Sequence, residues 1–168
     1  MEESISLGSF LAYYKQSMGL EAVDADMYSP LVLAYMGDAV YEVLIRAKVI
    51  NKGSMQVNKM HKHSARLVKA SSQAALLKSI EEELTKEEYA VYKRGRNAKS
   101  VTMAKHATMI DYRMATGLEA LVGWLFLKER FERLIELVSR GLKNLEASWQ
   151  ESEKENGQGP VLGEQDKT

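Results

Sequence analysis

Two acidic residues interrupt otherwise apolar segments of this sequence. Asp38 lies within 33–40, and Glu119 lies within 117–124. An ionised carboxylate is costly to bury unless it meets a cation or full hydrogen bonding. A buried salt bridge, or exposure on a polar stripe, would explain either acid taken alone. Small residues flank both acids and allow close approach of two helices, so the pair predicts a shared hard cation. These small residues are Gly37, Ala39, Gly117, Ala120 and Gly123.

The residue types around this pair indicate which cation and which chemistry to expect. Paired carboxylates completed by water ligands are what Mg²⁺ prefers, and such an ion activates water and stabilises charge on a phosphate. Glu42, four residues after Asp38, either supports the site from the same helix face or pairs with Arg46, four residues further on. The chain has no Cys and three His, which excludes thiolate sites and makes a zinc site hard to assemble. We expect His61 and His63 at the surface rather than as general bases.

The charges are segregated along the chain although the net charge is zero. Residues 43–110 carry fourteen Lys or Arg against five Glu, a net charge of +9, and the remainder carries −9. Such segregation is typical of a nucleic-acid-binding face, although many basic helices are only solvated. The candidates for nucleic-acid binding are Lys62, Arg66, Arg94, Arg96, Lys99 and Lys105.

Helices must position these residues, because only two prolines occur and no segment alternates as a half-buried strand does. Ser29 and Pro30 predict the start of a long apolar helix that ends near Ile50. Thr85 and Glu88 have the spacing of a capping box. The other predicted helices are 57–68, 73–84, 111–127 and one that follows Lys128. The Thr85 helix should end near Gly95.

The ends of the chain differ in composition from its middle. We predict an N-terminal extension over 1–28, a catalytic domain over 29–145 and a disordered polar tail over 146–168, because the tail composition buries too little apolar area. Residues 97–109 are predicted to form a mobile loop. The longest apolar run, 120–127, is too short to cross a bilayer, and we expect a cytoplasmic protein.

Four segments together resemble a known family. Residues 33–40, Leu-Ala-Tyr-Met-Gly-Asp-Ala-Val, resemble the signature helix of the ribonuclease III superfamily, and 119–123 is similar to its second acidic motif. Residues 93–100 and 61–66 resemble the Mini-III branch, in which the nuclease domain stands alone. The resemblance covers about residues 30–140 and implies an all-α helical bundle, a single ribonuclease III-like endonuclease domain that forms a homodimer.

The resemblance implies a metal-dependent endoribonuclease for double-stranded or structured RNA, with Mg²⁺ as cofactor and Asp38 and Glu119 as the catalytic, metal-binding acids. It implies cleavage that leaves a 5′-phosphate, and a role in maturation of the 23S ribosomal RNA precursor. Two further acids of the full-length family fall here on Ala34 and Thr116, which implies a thinner coordination sphere. We expect no separate double-stranded-RNA-binding domain. The alternative is a non-catalytic RNA-binding or ribosome-assembly protein that kept the fold.

Overall fold

The computed structural model describes residues 6–99 and 108–155. Over these residues the chain forms seven α-helices and two short 3₁₀ helices, with no strand. The α-helices are α1 (Leu7–Ser17), α2 (Pro30–Ile50), α3 (Val57–Val68), α4 (Ala70–Ile80), α5 (Lys86–Asn97), α6 (Met109–Leu127) and α7 (Phe131–Glu155). The predicted all-α class is confirmed.

Local signals set the starts of α2 and α5 as the sequence predicted. The Ser29 hydroxyl accepts a hydrogen bond from the N–H of Val32 at 3.3 Å, and Pro30 opens α2. Thr85 and Glu88 form both bonds of a capping box at the start of α5. Helix α4 begins at residue 70 rather than 73 and gives way to a 3₁₀ helix, Glu81–Glu83, before the predicted end.

Helix α6 forms the centre of the bundle and packs against α2, α4, α5 and α7. Between residues 114 and 125 its side chains are buried except that of Glu119, which is half-buried. Trp124 is fully buried, and its indole N–H donates to Asp26 Oδ1 at 2.8 Å, which ties the short 3₁₀ helix Ala25–Met27 to the core. An apolar central helix of this kind is stable only when neighbours cover it on all sides.

The predicted start of the polar tail at residue 146 is wrong. Helix α7 continues to Glu155, ten residues beyond the predicted domain end. Trp149 packs against the core, and Arg66 of α3 lies over its ring, with the guanidinium carbon 3.9 Å from the ring centroid. Two ion pairs add to this contact, Lys48–Glu146 at 3.1 Å and Arg66–Glu153 at 3.8 Å. The polar composition of residues 146–155 does not by itself predict a helix, and contacts with α2 and α3 stabilise this part of α7. Residues 156–168 lie outside the described part of the chain.

Two other predictions concern segments at the edge of the bundle. Residues 7–17 of the N-terminal extension form a helix, α1, none of whose residues is buried. Helix α5 ends at Asn97 and α6 begins at Met109, so most of the predicted loop, including Lys105, lies outside the described residues. Among the helices that are described, none combines the length and hydropathy needed to cross a membrane.

Candidate active site

Two glycines bring the backbones of α2 and α6 into direct contact. A Cβ atom placed on Gly37 would lie 1.7 Å from the carbonyl oxygen of Glu119 and 2.7 Å from the nitrogen of Gly123. A Cβ atom on Gly123 would lie 2.0 Å from the carbonyl oxygen of Leu33. Only glycine fits at these positions. Because Asp38 follows Gly37 and Glu119 is itself the contact residue, the crossing places the two acidic residues at the same junction.

The carboxylates of Asp38 and Glu119 are close enough to influence each other. Asp38 is exposed as a residue, but partial burial of its carboxyl group and the nearby charge of Glu42 raise its pKa above the ordinary value. Burial raises the pKa of Glu119 to about 7, with a smaller contribution from the negative charge of Asp38, while a hydrogen bond from Gln73 opposes the shift. Mutual repulsion between carboxylates is what a bound cation relieves, so the arrangement is electrostatically suited to one.

Sequence reasoning missed Gln73. This residue of α4 is buried, and its Nε2 donates to the carboxylate oxygen Oε1 of Glu119 at 3.1 Å and to the carbonyl oxygen of Val68 at 3.0 Å. The signal in the sequence was a lone amide beside the apolar run 74–77, but that signal does not specify a partner on another helix.

Tyr41 is a second neighbour of the site that sequence reasoning missed. It is fully buried in α2, and its hydroxyl donates to the carbonyl oxygen of Leu67 at 3.2 Å. Burial, followed by the negative charges of Glu119 and Glu42, raises its pKa well above the ordinary range. The hydroxyl therefore stays protonated and acts as a hydrogen-bond donor beside the acids.

The two supporting residues considered from the sequence have partners on their own helices. Glu42 accepts a hydrogen bond from Arg46 Nε at 3.0 Å, as the alternative reading of its spacing predicted, while its charge still acts on Asp38. The Thr116 hydroxyl donates to the carbonyl oxygen of Tyr112 at 3.0 Å, a hydrogen bond within α6 rather than to either acid.

The basic candidates lie on two elements. Lys62 and Arg66 are exposed on α3, and Arg66 is engaged by Trp149 and Glu153 of α7. The other three described candidates lie in the last turn of α5 or just after it and are called here the α5 basic cluster: Arg94, Arg96 and Lys99. Cations in the last turn of a helix also interact favourably with its dipole, so part of this cluster has a structural explanation.

The possible metal ligands are few. His61 and His63 are exposed, as expected. In the part of the chain that the structure describes, no three or more Asp, Glu or His residues are grouped so that they could hold a metal ion. Gln73 Oε1 is buried without a hydrogen-bond partner. Two carboxylates and one unpaired amide oxygen fit a hard cation that keeps several of its water ligands.

Comparison with known proteins identifies the fold and the family. The sequence profile of the Ribonuclease III domain matches residues 31–130, which include both acids and the glycine crossing. This chain belongs to the ribonuclease III family. A Mini-ribonuclease 3 of Clostridium tetani is 45% identical over 135 residues, covering 80% of this chain and 89% of its own length. One of Streptococcus pneumoniae is 43% identical, covering 74% and 98%.

A solved structure supports the same family. A crystal structure of a protein from Fusobacterium nucleatum superimposes with a TM-score of 0.66 at 30% identity and covers 73% of this chain and 98% of the other. In this chain, the residues that match the Ribonuclease III domain, 31–130, run from the start of α2 to the turn before α7. Helix α1 and most of α7 lie outside the matched region.

Proposed function

We propose that this protein is an endoribonuclease that cleaves double-stranded or structured RNA, with Asp38 and Glu119 as its catalytic carboxylates. The observation that carries the proposal is the α2–α6 crossing at Gly37, which brings two acids from distant parts of the chain to one junction. The Ribonuclease III domain match and the printed name of the relatives support the same activity.

The proposed cofactor is Mg²⁺, held by Asp38 and Glu119. When bound, the ion would supply an activated water and offset the charge that develops on the phosphodiester, so that hydrolysis leaves a 5′-phosphate. Side chains of the protein would hold and orient this ion. Asp38 is exposed and accessible to a backbone phosphate, whereas Glu119 is half-buried and held by Gln73. Both side chains have raised pKa values, and a bound cation would lower them by stabilising the ionised carboxylates.

The proposed RNA-binding residues are Lys62 and Arg66 on α3, the α5 basic cluster, and Lys105. Duplex RNA is recognised mainly by shape and by its 2′-hydroxyls, and phosphate contacts add affinity without base readout. Lys62 and Lys99 are exposed and form no ion pair within the described residues, so both are available to a phosphate. Arg66 would have to exchange Glu153 for the phosphate.

We further propose that the protein acts as a homodimer. Helix α2 exposes large apolar side chains: Tyr35 is 84% exposed and Val43 is 65% exposed. Val43 lines a groove of about 370 Å³ whose other lining residues are apolar side chains of α1, α2, α6 and α7. Contiguous exposed apolar surface of this kind marks interaction sites. A second copy would cover it and present a second acidic pair to the opposite RNA strand.

The cellular role that we propose is maturation of the 23S ribosomal RNA precursor in the cytoplasm. It follows from the resemblance to the Mini-III branch and from the Mini-ribonuclease 3 relatives. A processing enzyme without base-specific contacts would take its site from the folded shape of the precursor.

The test is cleavage of a long RNA duplex by wild type, Asp38→Asn and the control Asp24→Asn. Asp24 is an exposed helix cap that Asn replaces well, and its exposed ion pair with Lys128 contributes little to stability. Asp38→Asn should fold normally and lose at least about a hundredfold in rate, since the metal contributes several kcal/mol of charge stabilisation. Asp24→Asn should cut normally, and chelation of Mg²⁺ should stop the wild type.

Equal cleavage by Asp38→Asn and wild type would end the assignment of the catalytic carboxylates. If the wild type binds the duplex tightly but leaves it intact in Mg²⁺, the protein is the non-catalytic RNA-binding alternative instead.

A further inference from the structure

Gln73 occupies an unusual place beside the acidic pair. It lies in the first turns of α4, directly after the junction at Lys69 where α3 ends and α4 begins. Its side chain is 2% exposed. The last carbonyl groups of a helix have no partner within that helix, and the Val68 carbonyl at the end of α3 is one of these. Gln73 Nε2 donates to it at 3.0 Å, so the amide is anchored to backbone at one side.

The same amide nitrogen holds the carboxylate of Glu119. It donates to Oε1 at 3.1 Å, and this is the one hydrogen bond to the Glu119 side chain within the described residues. Oε1 is thereby engaged, whereas Oε2 of the same carboxylate remains free to bind a cation. The anchored amide also restricts the rotation of the Glu119 side chain, because the hydrogen bond to the Val68 carbonyl fixes the amide nitrogen that donates to Glu119.

We propose that Gln73 is the positioning residue for Glu119, and that it sets the affinity of the acidic pair for Mg²⁺. Groups that orient a metal ligand typically change metal affinity or activity by about 10–100-fold when they are removed. Gln73 does this from α4, whereas the two acids belong to α2 and α6, so the site depends on three helices rather than two. The inference rests on the proposed metal-dependent activity but makes a separate prediction about metal binding.

The unpaired oxygen of Gln73 is consistent with this role. Gln73 Oε1 is one of two buried side-chain polar atoms in the described residues that have no hydrogen-bond partner. A buried acceptor of this kind suits a donor such as a metal-bound water, because Mg²⁺ retains several waters when carboxylates bind it. A residue that served only to join α3 to α4 would gain nothing from an acceptor left unpaired beside the acids.

The neighbouring Ser72 provides a matched control. It is also buried in α4, and its hydroxyl donates to the carbonyl oxygen of Arg66 at 2.6 Å, so it anchors the same helix end. It makes no hydrogen bond to Glu119. Ser72→Ala therefore removes a comparable link between α3 and α4 and leaves the carboxylate untouched.

The experiment measures Mg²⁺ binding to RNA-free protein by calorimetry, and the Mg²⁺ dependence of duplex RNA cleavage, for wild type, Gln73→Met and Ser72→Ala. Met is close to Gln in length and flexibility but donates no hydrogen bond. Gln73→Met should bind Mg²⁺ at least about tenfold more weakly and need correspondingly more Mg²⁺ for half-maximal cleavage, with KM for RNA unchanged. Ser72→Ala should match wild type in both. Gln73→Asn, whose amide is too short to span both partners, should resemble Gln73→Met and replaces it if that variant does not fold.

Wild-type Mg²⁺ affinity in Gln73→Met or Gln73→Asn would overturn the inference, and so would an equal loss in Ser72→Ala. Wild-type protein that leaves duplex RNA intact at every Mg²⁺ concentration overturns the proposed function instead. The calorimetric comparison of the variants would still decide whether Gln73 governs metal binding.

Discussion

Replacing Gly37 with Ala is the most direct way to test the helix crossing that supports the candidate active site. The added Cβ would lie 1.7 Å from the Glu119 carbonyl oxygen, whereas ordinary contacts begin at 3.4 Å. The two backbones must therefore separate by about 1.7 Å, the difference between these distances. Overpacking usually costs about 1–3 kcal/mol, and here the obstacle is backbone, which cannot rotate away. We expect a loss of at least about 3 kcal/mol in the free energy of unfolding.

Urea denaturation followed by circular dichroism measures this loss directly. A loss of about 3 kcal/mol corresponds to a fall in Tm of roughly 6–12 °C for a chain of this size. The cleavage rate should fall by more than the unfolded fraction of the variant explains, because the separation displaces Glu119 relative to Asp38. Cleavage assays at a temperature where the variant is fully folded isolate this second effect.

Gly8→Ala is the matched control, since it adds the same methyl group to another helical glycine. There the new Cβ would lie 3.3 Å from Glu129 Oε2, the far end of a flexible side chain. That side chain can move aside by a few tenths of an ångström, so Gly8→Ala should change stability by less than about 1 kcal/mol, with the helix propensity of Ala favouring a gain. If Gly37→Ala changed stability by less than about 0.5 kcal/mol, as an ordinary surface substitution does, the close crossing and its role in aligning the acids would be refuted.

Three further predictions concern stability, α7 and RNA binding. Glu88 is buried, but hydrogen bonds from Arg133 and Thr85 outweigh that burial and lower its pKa. Glu88→Gln should cost about 3 kcal/mol near neutral pH, and the difference from wild type should shrink as pH falls below 4.5 through the lowered native pKa, as denaturation at several pH values would detect. Truncation after Ser148 removes Trp149 and should lower stability by about 1–3 kcal/mol, whereas truncation after Glu155 should have little effect by the same assay. Changing the α5 basic cluster to Ala should make the slope of log affinity against log salt shallower by roughly two to three, and an unchanged slope would exclude phosphate contacts.

Much of the fold could be read from the sequence because local signals specify it. The Ser29–Pro30 start of α2 and the Thr85–Glu88 capping box depend on residues within one turn of each other, and both formed as predicted. The two acids could be selected as candidates for a similar reason. A charged residue within an apolar helical segment is visible without knowledge of its neighbours, and the motifs around Asp38 and Glu119 are continuous in the chain.

The tertiary structure alone decided which separate segments meet. Nothing near Gln73 in the sequence indicates that its amide spans the end of α3 and the carboxylate of Glu119, 46 residues away. The end of α7 is a similar case. Residues 146–155 have a composition typical of a disordered tail. Yet Trp149 lies beneath Arg66, and side chains of α2 and α3 form ion pairs with this segment. Such contacts depend on how distant helices pack, and a pattern of neighbouring residues carries no record of that packing.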